Sequence, residues 1–274
     1  MAMIYLDLAG RGPGLIPAEQ AVVPVSDRGL LYGDGLFETT LLRRGAIPLL
    51  HLHLERMAAS ARALEIPFDR ERAREGALAL AATLPEGAGG DYALRITLTR
   101  GPAGARGYQP PPGPAPTLLI SATPYTGTDG PMSAVTASHR VNLQSPLNAH
   151  KTLSALENVM ARGEAARAGC DEAILLNQHG RVAEGAATSL FIVRQGLWLT
   201  PPLADGCLPG IMRRRVLDLS GGVEWALKPE DLFRCDGVYL TNALLGCVPL
   251  AALDGRGLPW GSPPHFLPRL WDVR

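Results

Sequence analysis

The chain has 274 residues, enough for one large domain or two medium ones around a shared core. Apolar residues make up 46% and charged residues 19%, ordinary globular values, and 26 basic residues balance 26 acidic ones, which argues against nucleic acid or an anionic membrane surface as partner. No window approaches eighteen uncharged apolar residues, and the opening MAMIYLDLAGRGPG lacks a basic stretch followed by a long apolar one, so neither a membrane span nor a secretory signal is expected and a cytoplasmic location is.

In chain order, MIYLDL and AVVPVS predict short strands, and GRGPG at residues 10 to 14 reads as a turn. LFETTLLRRGAIPLL predicts a hairpin turning at Arg43-Arg44-Gly45. Leu50, Leu54, Met57, Ala61 and Leu64 then recur at steps of three and four, the apolar face of a helix, and a second helix is expected over about 69 to 83. ALRITLTR alternates as a strand does, with TLLISATP as its partner. The Gly- and Pro-rich stretch between them is long enough to be a functional loop. Residues 123–131 form the expected linker between a domain over 1–122 and a second over 132–274.

The second half predicts a strand in AVTASHRV and a helix over about 152 to 168, with Leu153, Leu156, Met160 and Gly163 on one side and Gly169 as its stop. EAILLN, RVAEGAATSLFIV and GLWLT predict a β-meander. A turn and helix follow in DGCLPGIMRRRVLDLSGG, whose Arg213-Arg214-Arg215 run reads as a solvated face. PEDLFRC is a short helix, and DGVYLTNALLGCVPLAAL closes the core with strand.

Four well-separated cysteines, Cys170, Cys207, Cys235 and Cys247, read as free thiols, and the His51-x-His53 pair has no further ligand at metal spacing, so no metal is expected. Only two residues, Lys151 and Lys228, are lysines, so covalent amine chemistry has two candidates. Lys228 sits beside Pro and two acids in ALKPED, where solvation is the simpler role. Lys151 stands at the expected start of a helix, where burial and the helix end would lower its pKa, as a nucleophilic amine requires. Glu184 interrupts a run of small and apolar residues, an expensive place for a carboxylate unless it is paired. Gly210 precedes a helix whose first amides, at Ile211 and Met212, could hold a phosphate. The Gly-rich DRGLLYGDGLFET has the wrong spacing for a nucleotide loop.

Taken in register, these segments resemble the fold-type IV pyridoxal-phosphate enzymes, the class IV aminotransferases. DRGLLYGDGLFET is similar to the family's N-terminal signature, and Arg56 in HLHLERM to its phosphate-binding arginine. HKTLSALENVMAR is similar to the segment with the Schiff-base lysine, here Lys151, and RVAEGAATSLF to the strand whose glutamate, here Glu184, holds the pyridine nitrogen. LPGIMRR and LTNALLGCVPL are similar to the phosphate-cup segments. The resemblance implies an α/β fold of α+β type, with two mixed domains and the cofactor between them. It also implies pyridoxal 5′-phosphate as cofactor, a homodimer, and a cofactor set of Arg56, Lys151, Glu184, Ser189, Ile211, Met212, Asn242 and Ala243.

Within the family, TRGPAGARGYQP and the pairing of Gly-Ile-Met-Arg with Thr-Asn-Ala-Leu-Leu-Gly are similar to the lyases that turn 4-amino-4-deoxychorismate into 4-aminobenzoate and pyruvate for folate synthesis. That likeness implies Arg106, Tyr32 and Glu38 as substrate-facing residues, with Lys151 as general base. Glu38 resembles the transaminases equally, so a transaminase of D-amino acids or branched-chain amino acids stays open, as does a carrier without turnover. Ser154 and Ser189 stand where many relatives carry Asn, and Leu156 where branched-chain transaminases carry Tyr.

Overall fold

A computed structural model describes residues 2–85, 90–103, 107–128, 130–261 and 264–272. The chain divides into two compact units, one of Met1–Thr126 with Lys151–Ser154, the other of Gly127–His150 with Ala155–Asp272. Both mix helix and sheet, as the sequence predicts. Residues 123–125, expected as linker, belong to a strand of the first unit, and the four residues beginning at Lys151 belong to that unit as well.

The first unit is an antiparallel sheet of β1 (Met3–Leu8), β2 (Gly12–Pro17), β3 (Gly35–Leu42), β4 (Asp91–Thr99) and β5 (Thr117–Tyr125), in the order β2-β1-β5-β4-β3. The short helix α1 (Arg28–Tyr32) precedes β3, and α2 (Leu50–Ala63) and α3 (Arg70–Ala81) pack on the sheet. The step-of-four pattern on α2 buries Leu50, Leu54, Met57 and Ala61 against Leu94, Ile96 and Leu98 of β4, a core whose burial of each large aliphatic side chain is worth about 1.5–3 kcal/mol. Two local expectations fail. The second strand is Gly12–Pro17, paired along β1, while AVVPVS is irregular. Arg43 to Ala46 makes a tight turn closed by one bridge, and the chain enters α2 without a returning strand. In both cases sheet pairing overrides local β propensity.

The second unit holds β6 (Met132–Val141), β7 (Glu172–Asn177), β8 (Val182–Gly185), β9 (Ser189–Arg194), β10 (Leu197–Thr200), β11 (Val223–Glu224), β12 (Gly237–Asn242), β13 (Gly246–Leu253) and β14 (Arg256–Gly257). The sheet order is β11-β10-β9-β12-β13-β6-β7-β8, with β14 on β13, and β6 runs parallel to both β7 and β13. The expected meander is therefore broken: β8 pairs with β7 and β9 with β12 and β10, and residues 186–188 carry the chain from one to the other. The two helices are α4 (Leu156–Arg167) and α5 (Ile211–Ser220), the latter ending at left-handed Gly221. Helix α4 starts four residues later than its pattern suggests, and it buries Ala161 and Ala165 while Leu156, Val159 and Met160 face out, Leu156 at 73% exposure. Nor are the three arginines of α5 one solvated face. Arg213 is buried, donating to the Pro201 carbonyl and to Glu224, whereas Arg214 is exposed.

Candidate active site

In the second unit, Glu184 is the third residue of β8, opposite Leu175 of β7, and its Oε2 accepts from the Leu208 amide at 3.0 Å. That bond draws the segment leading into α5 toward the strand. Helix α5 begins at Gly210, which caps it with extended backbone and no side-chain bond, so acceptors for its first amides must come from elsewhere. A Cβ at Gly210 would lie 2.8 Å from Ser189 Oγ, so only glycine lets the helix end approach that hydroxyl. Ile211 and Met212 are buried, so any ligand contact they make falls to the amides of the helix start. Ser189 opens β9, and the turn at Asn242–Leu245 joins β12 to β13. The amides of a helix end, a close hydroxyl and a glycine where a Cβ would meet that hydroxyl make a donor set suited to a phosphate monoester, and a carboxylate on β8 suits a protonated ring nitrogen.

Asn242 organises the turn between β12 and β13. Its Oδ1 accepts from the Leu244 and Leu245 amides, and its Nδ2 donates to the Ala187 carbonyl at 3.1 Å. The side chain thus shapes the turn at Ala243 and ties it to the 186–188 segment. Cys207, one residue before Leu208, is buried, and burial followed by the nearby Glu184 charge pushes its thiol up to about 12. It is an inert neighbour of the glutamate.

In the first unit, Lys151 lies on an extended segment that runs along β3. The Phe37 amide donates to the Lys151 carbonyl at 2.9 Å, Thr152 bridges to Leu36, and the Leu153 amide donates to Gly35. Helix α4 starts at Leu156, so Lys151 lies five residues before its first turn and not at its start. The amine instead sits 4.3 Å from the centre of the Phe37 ring, and the guanidinium of Arg95 on β4 sits 3.9 Å from the same ring. Arg95 was not singled out from the sequence. Its pKa is lowered by burial, and with Lys151 it makes one positive neighbourhood around Phe37. The ALRITL alternation held a signal, since it places this arginine on a sheet face where an apolar residue would serve.

Glu38, expected to face substrate, is 1% exposed and fully engaged. Arg56 donates through Nε to Oε1 at 2.8 Å and through Nη2 to Oε2 at 2.6 Å, and His53 Nδ1 lies 2.7 Å from Oε2. Burial alone would raise its pKa, but the Arg56 charge and the bonds from His53 and Arg56 outweigh burial and bring it down to about 2. Glu38 therefore has both oxygens taken up, because its two partners stand one helical turn apart on α2, the helix packed on β3. It takes up one edge of the arginine expected to bind phosphate.

Tyr32 closes α1, and its hydroxyl accepts from the Gly107 amide at 3.3 Å while its ring meets that of Tyr108 at 5.5 Å. Arg28, buried, donates to the carbonyls of Gly107, Tyr108 and Gln109 and to Asp34, which Arg100 also binds. The N-terminal signature is thus a set of turns and ion pairs that holds residues 107–109. Left-handed Gly33 packs against Ser154, where a Cβ would come within 2.6 Å of its hydroxyl. Arg106 lies outside the described residues.

The amino-transferase class IV family model matches residues 35–253. A Methanocaldococcus jannaschii protein named provisionally as a branched-chain-amino-acid aminotransferase is 35% identical over 88% of this chain and 86% of its own length. The crystal structure of 4-amino-4-deoxychorismate lyase from Pseudomonas aeruginosa is 33% identical with a TM-score of 0.82, covering 97% of this chain and 96% of that one. A hypothetical aminotransferase from Mycobacterium tuberculosis in its PLP-bound form is 26% identical with a TM-score of 0.84, covering 98% and 97%.

Proposed function

Because the chain belongs to the class IV amino-transferase family, whose enzymes depend on pyridoxal 5′-phosphate, we propose that it is a lyase forming 4-aminobenzoate and pyruvate from 4-amino-4-deoxychorismate. The observation that carries this reading is the segment TRGPAGARGYQP, whose Gly107–Gln109 is pinned by buried Arg28 directly after Arg106. The bound cofactor supplies an electron sink at the substrate carbon that loses its proton. Ser189 Oγ, the Ile211 and Met212 amides and the turn at Ala243 hold its phosphate, with Arg56 adding charge. Glu184 accepts from the pyridine N–H and keeps that nitrogen protonated.

Lys151 would hold the cofactor through its Nζ amine and, once free, would take the C4 proton as general base. The C3–O bond breaks, its electron pair leaves with the enolpyruvyl oxygen, and protonation gives pyruvate as the ring becomes aromatic. Arg106 binds a substrate carboxylate, and Arg95, beside Lys151 across Phe37, offers a second cation to the same dianionic substrate. Tyr32 lines the pocket from the 107–109 side.

A branched-chain or D-amino-acid transaminase is the second reading, favoured by the 35% identical relative. It would share the proton removal at Lys151 and differ in that Lys151 would hand the proton back without loss of a leaving group. Met212 speaks for the lyase, since the usual transaminase pattern has Thr there, and a buried Met offers no hydroxyl. The chain also pairs with a second copy in this reading, because Leu156, Val159 and Met160 on α4, and Val25, Leu30 and Leu31 near α1, are exposed apolar residues that need cover.

The test supplies the holoenzyme with 4-amino-4-deoxychorismate, made in place from chorismate and ammonia by a synthase. Equimolar 4-aminobenzoate and pyruvate, reduced at least about 1,000-fold in Lys151→Ala, support the lyase. Transfer of the amino group from D-alanine or a branched-chain amino acid, with no 4-aminobenzoate, would replace it by the transaminase.

A further inference from the structure

Glu172, the first residue of β7, is 1% exposed and takes no part in the mechanism above. A buried carboxyl is costly unless its oxygens find donors. Oε1 accepts from the Ala173 amide at 2.9 Å and from Arg162 at 3.2 Å. Oε2 accepts from the Ala187 amide at 3.2 Å and from the Thr188 hydroxyl at 3.1 Å. The second pair belongs to the turn that joins Glu184 to Ser189.

Every other polar group named on that turn also faces inward. The Gly185 amide donates to the Thr188 carbonyl at 2.7 Å, and the Ala186 amide to Ala173 at 2.9 Å. Asn158 donates to the Ala186 carbonyl and Asn242 to that of Ala187. A Cβ at Gly185 would lie 2.1 Å from Thr188 Oγ1, so no other residue fits while the hydroxyl reaches Glu172. The β8 and β9 strands are not paired with each other, so sheet hydrogen bonds do not set the spacing of Glu184 and Ser189. The turn sets it.

We infer that Glu172 is a positioning residue for the cofactor site, fixing through the 185–188 turn the aim of Glu184 and of the Ser189 hydroxyl together. This rests on the pyridoxal-phosphate reading of those two groups but not on the choice between lyase and transaminase. A Gln at position 172 keeps the shape but turns one acceptor into an NH2 donor. Facing the Ala187 or Ala173 amide, which cannot reverse, it leaves a buried donor unmatched.

The experiment strips the cofactor from wild type and Glu172→Gln and titrates each with pyridoxal 5′-phosphate and, separately, with pyridoxal lacking the phosphate. Tryptophan fluorescence and the absorbance of the bound cofactor between pH 5 and 9 are the readouts. Glu172→Gln should bind pyridoxal phosphate about 10-fold more weakly, with a changed pH profile of the cofactor band. Pyridoxal should weaken as well, because the pyridine end is disturbed along with the phosphate end. Thr188→Val, which removes one donor at nearly constant shape, should give a loss of about 3-fold in the same direction, and it decides the question if Glu172→Gln does not fold. Unchanged affinity and band in a folded variant, even one that melts earlier, overturn the inference and leave Glu172 a structural brace. Wild type that binds neither compound overturns the cofactor reading itself.

Discussion

Glu38 and Glu184 both stand on strands and interrupt apolar surroundings, yet the fold uses them in opposite ways. Glu38, in the first unit, is enclosed by two side-chain partners from α2 that satisfy both oxygens. Glu184, in the second, is only half-buried and meets a main-chain amide, with the segment into α5 arranged about it. The pattern extends to their neighbourhoods. The first unit works with charged side chains, as Arg28, Arg95, Arg100 and Lys151 illustrate, whereas the second presents helix-end amides, turns and one hydroxyl. Where an ion pair is closed on itself it contributes to stability. The fold ties Glu38 to side chains of a helix packed on its own strand and Glu184 to the main chain of the segment that enters α5, so the kind of element holding each acid separates them where burial alone does not.

The largest expected effect tests the site half of that contrast. Glu184→Gln keeps an acceptor for the Leu208 amide but cannot hold a pyridine nitrogen protonated, so kcat should fall about 10²–10³-fold with the melting temperature nearly unchanged. Equal turnover of variant and wild type would place Glu184 with Glu38 as scaffold.

Glu38→Gln should do the reverse. Its folded pKa of about 2 lies below the ordinary glutamate value of 4.5, so its contribution is fully present above pH 4.5 and is lost as pH falls toward 2. At pH 7 the substitution should cost at most about 3 kcal/mol in urea unfolding, and the gap to wild type should close below pH 4.5. A gap independent of pH would mean that packing, not charge, holds the cluster.

Gly210→Ala probes the main-chain cup and should be the smallest of the three. The added Cβ, 2.8 Å from Ser189 Oγ, pushes the hydroxyl from the helix end, and affinity for pyridoxal phosphate should drop about 10-fold while free pyridoxal binds as before. Equal losses for both compounds would show that the helix end does not act on the phosphate alone.

Much of the second unit was readable along the chain. EAILLN, the start of α5 after Gly210 and its stop at Gly221 follow from local pattern and glycine chemistry, which depend on residues close in sequence. Lys151 was found because lysine is scarce, though its setting was misjudged: the helix pattern of 152–168 extends over residues that pair with β3 instead. Arg95 was missed because an arginine within an alternating strand looks like a solvent-facing residue until Phe37, 58 positions earlier, is laid beneath it.

The sequence alone determined most of the elements, the family to which their order points, and the candidacy of Lys151 and Glu184 for the pyridoxal chemistry proposed above. Only the tertiary structure decided that Glu38 belongs to Arg56 and His53, that Asn242 serves its own turn, that the apolar side of α4 faces outward, and that Glu172 governs the turn between Glu184 and Ser189. The reason is one of range. Periodicity, caps and turns are set within a few residues, but the partner of a buried charge is chosen by strand pairing and helix packing, which bring together residues that no local pattern relates.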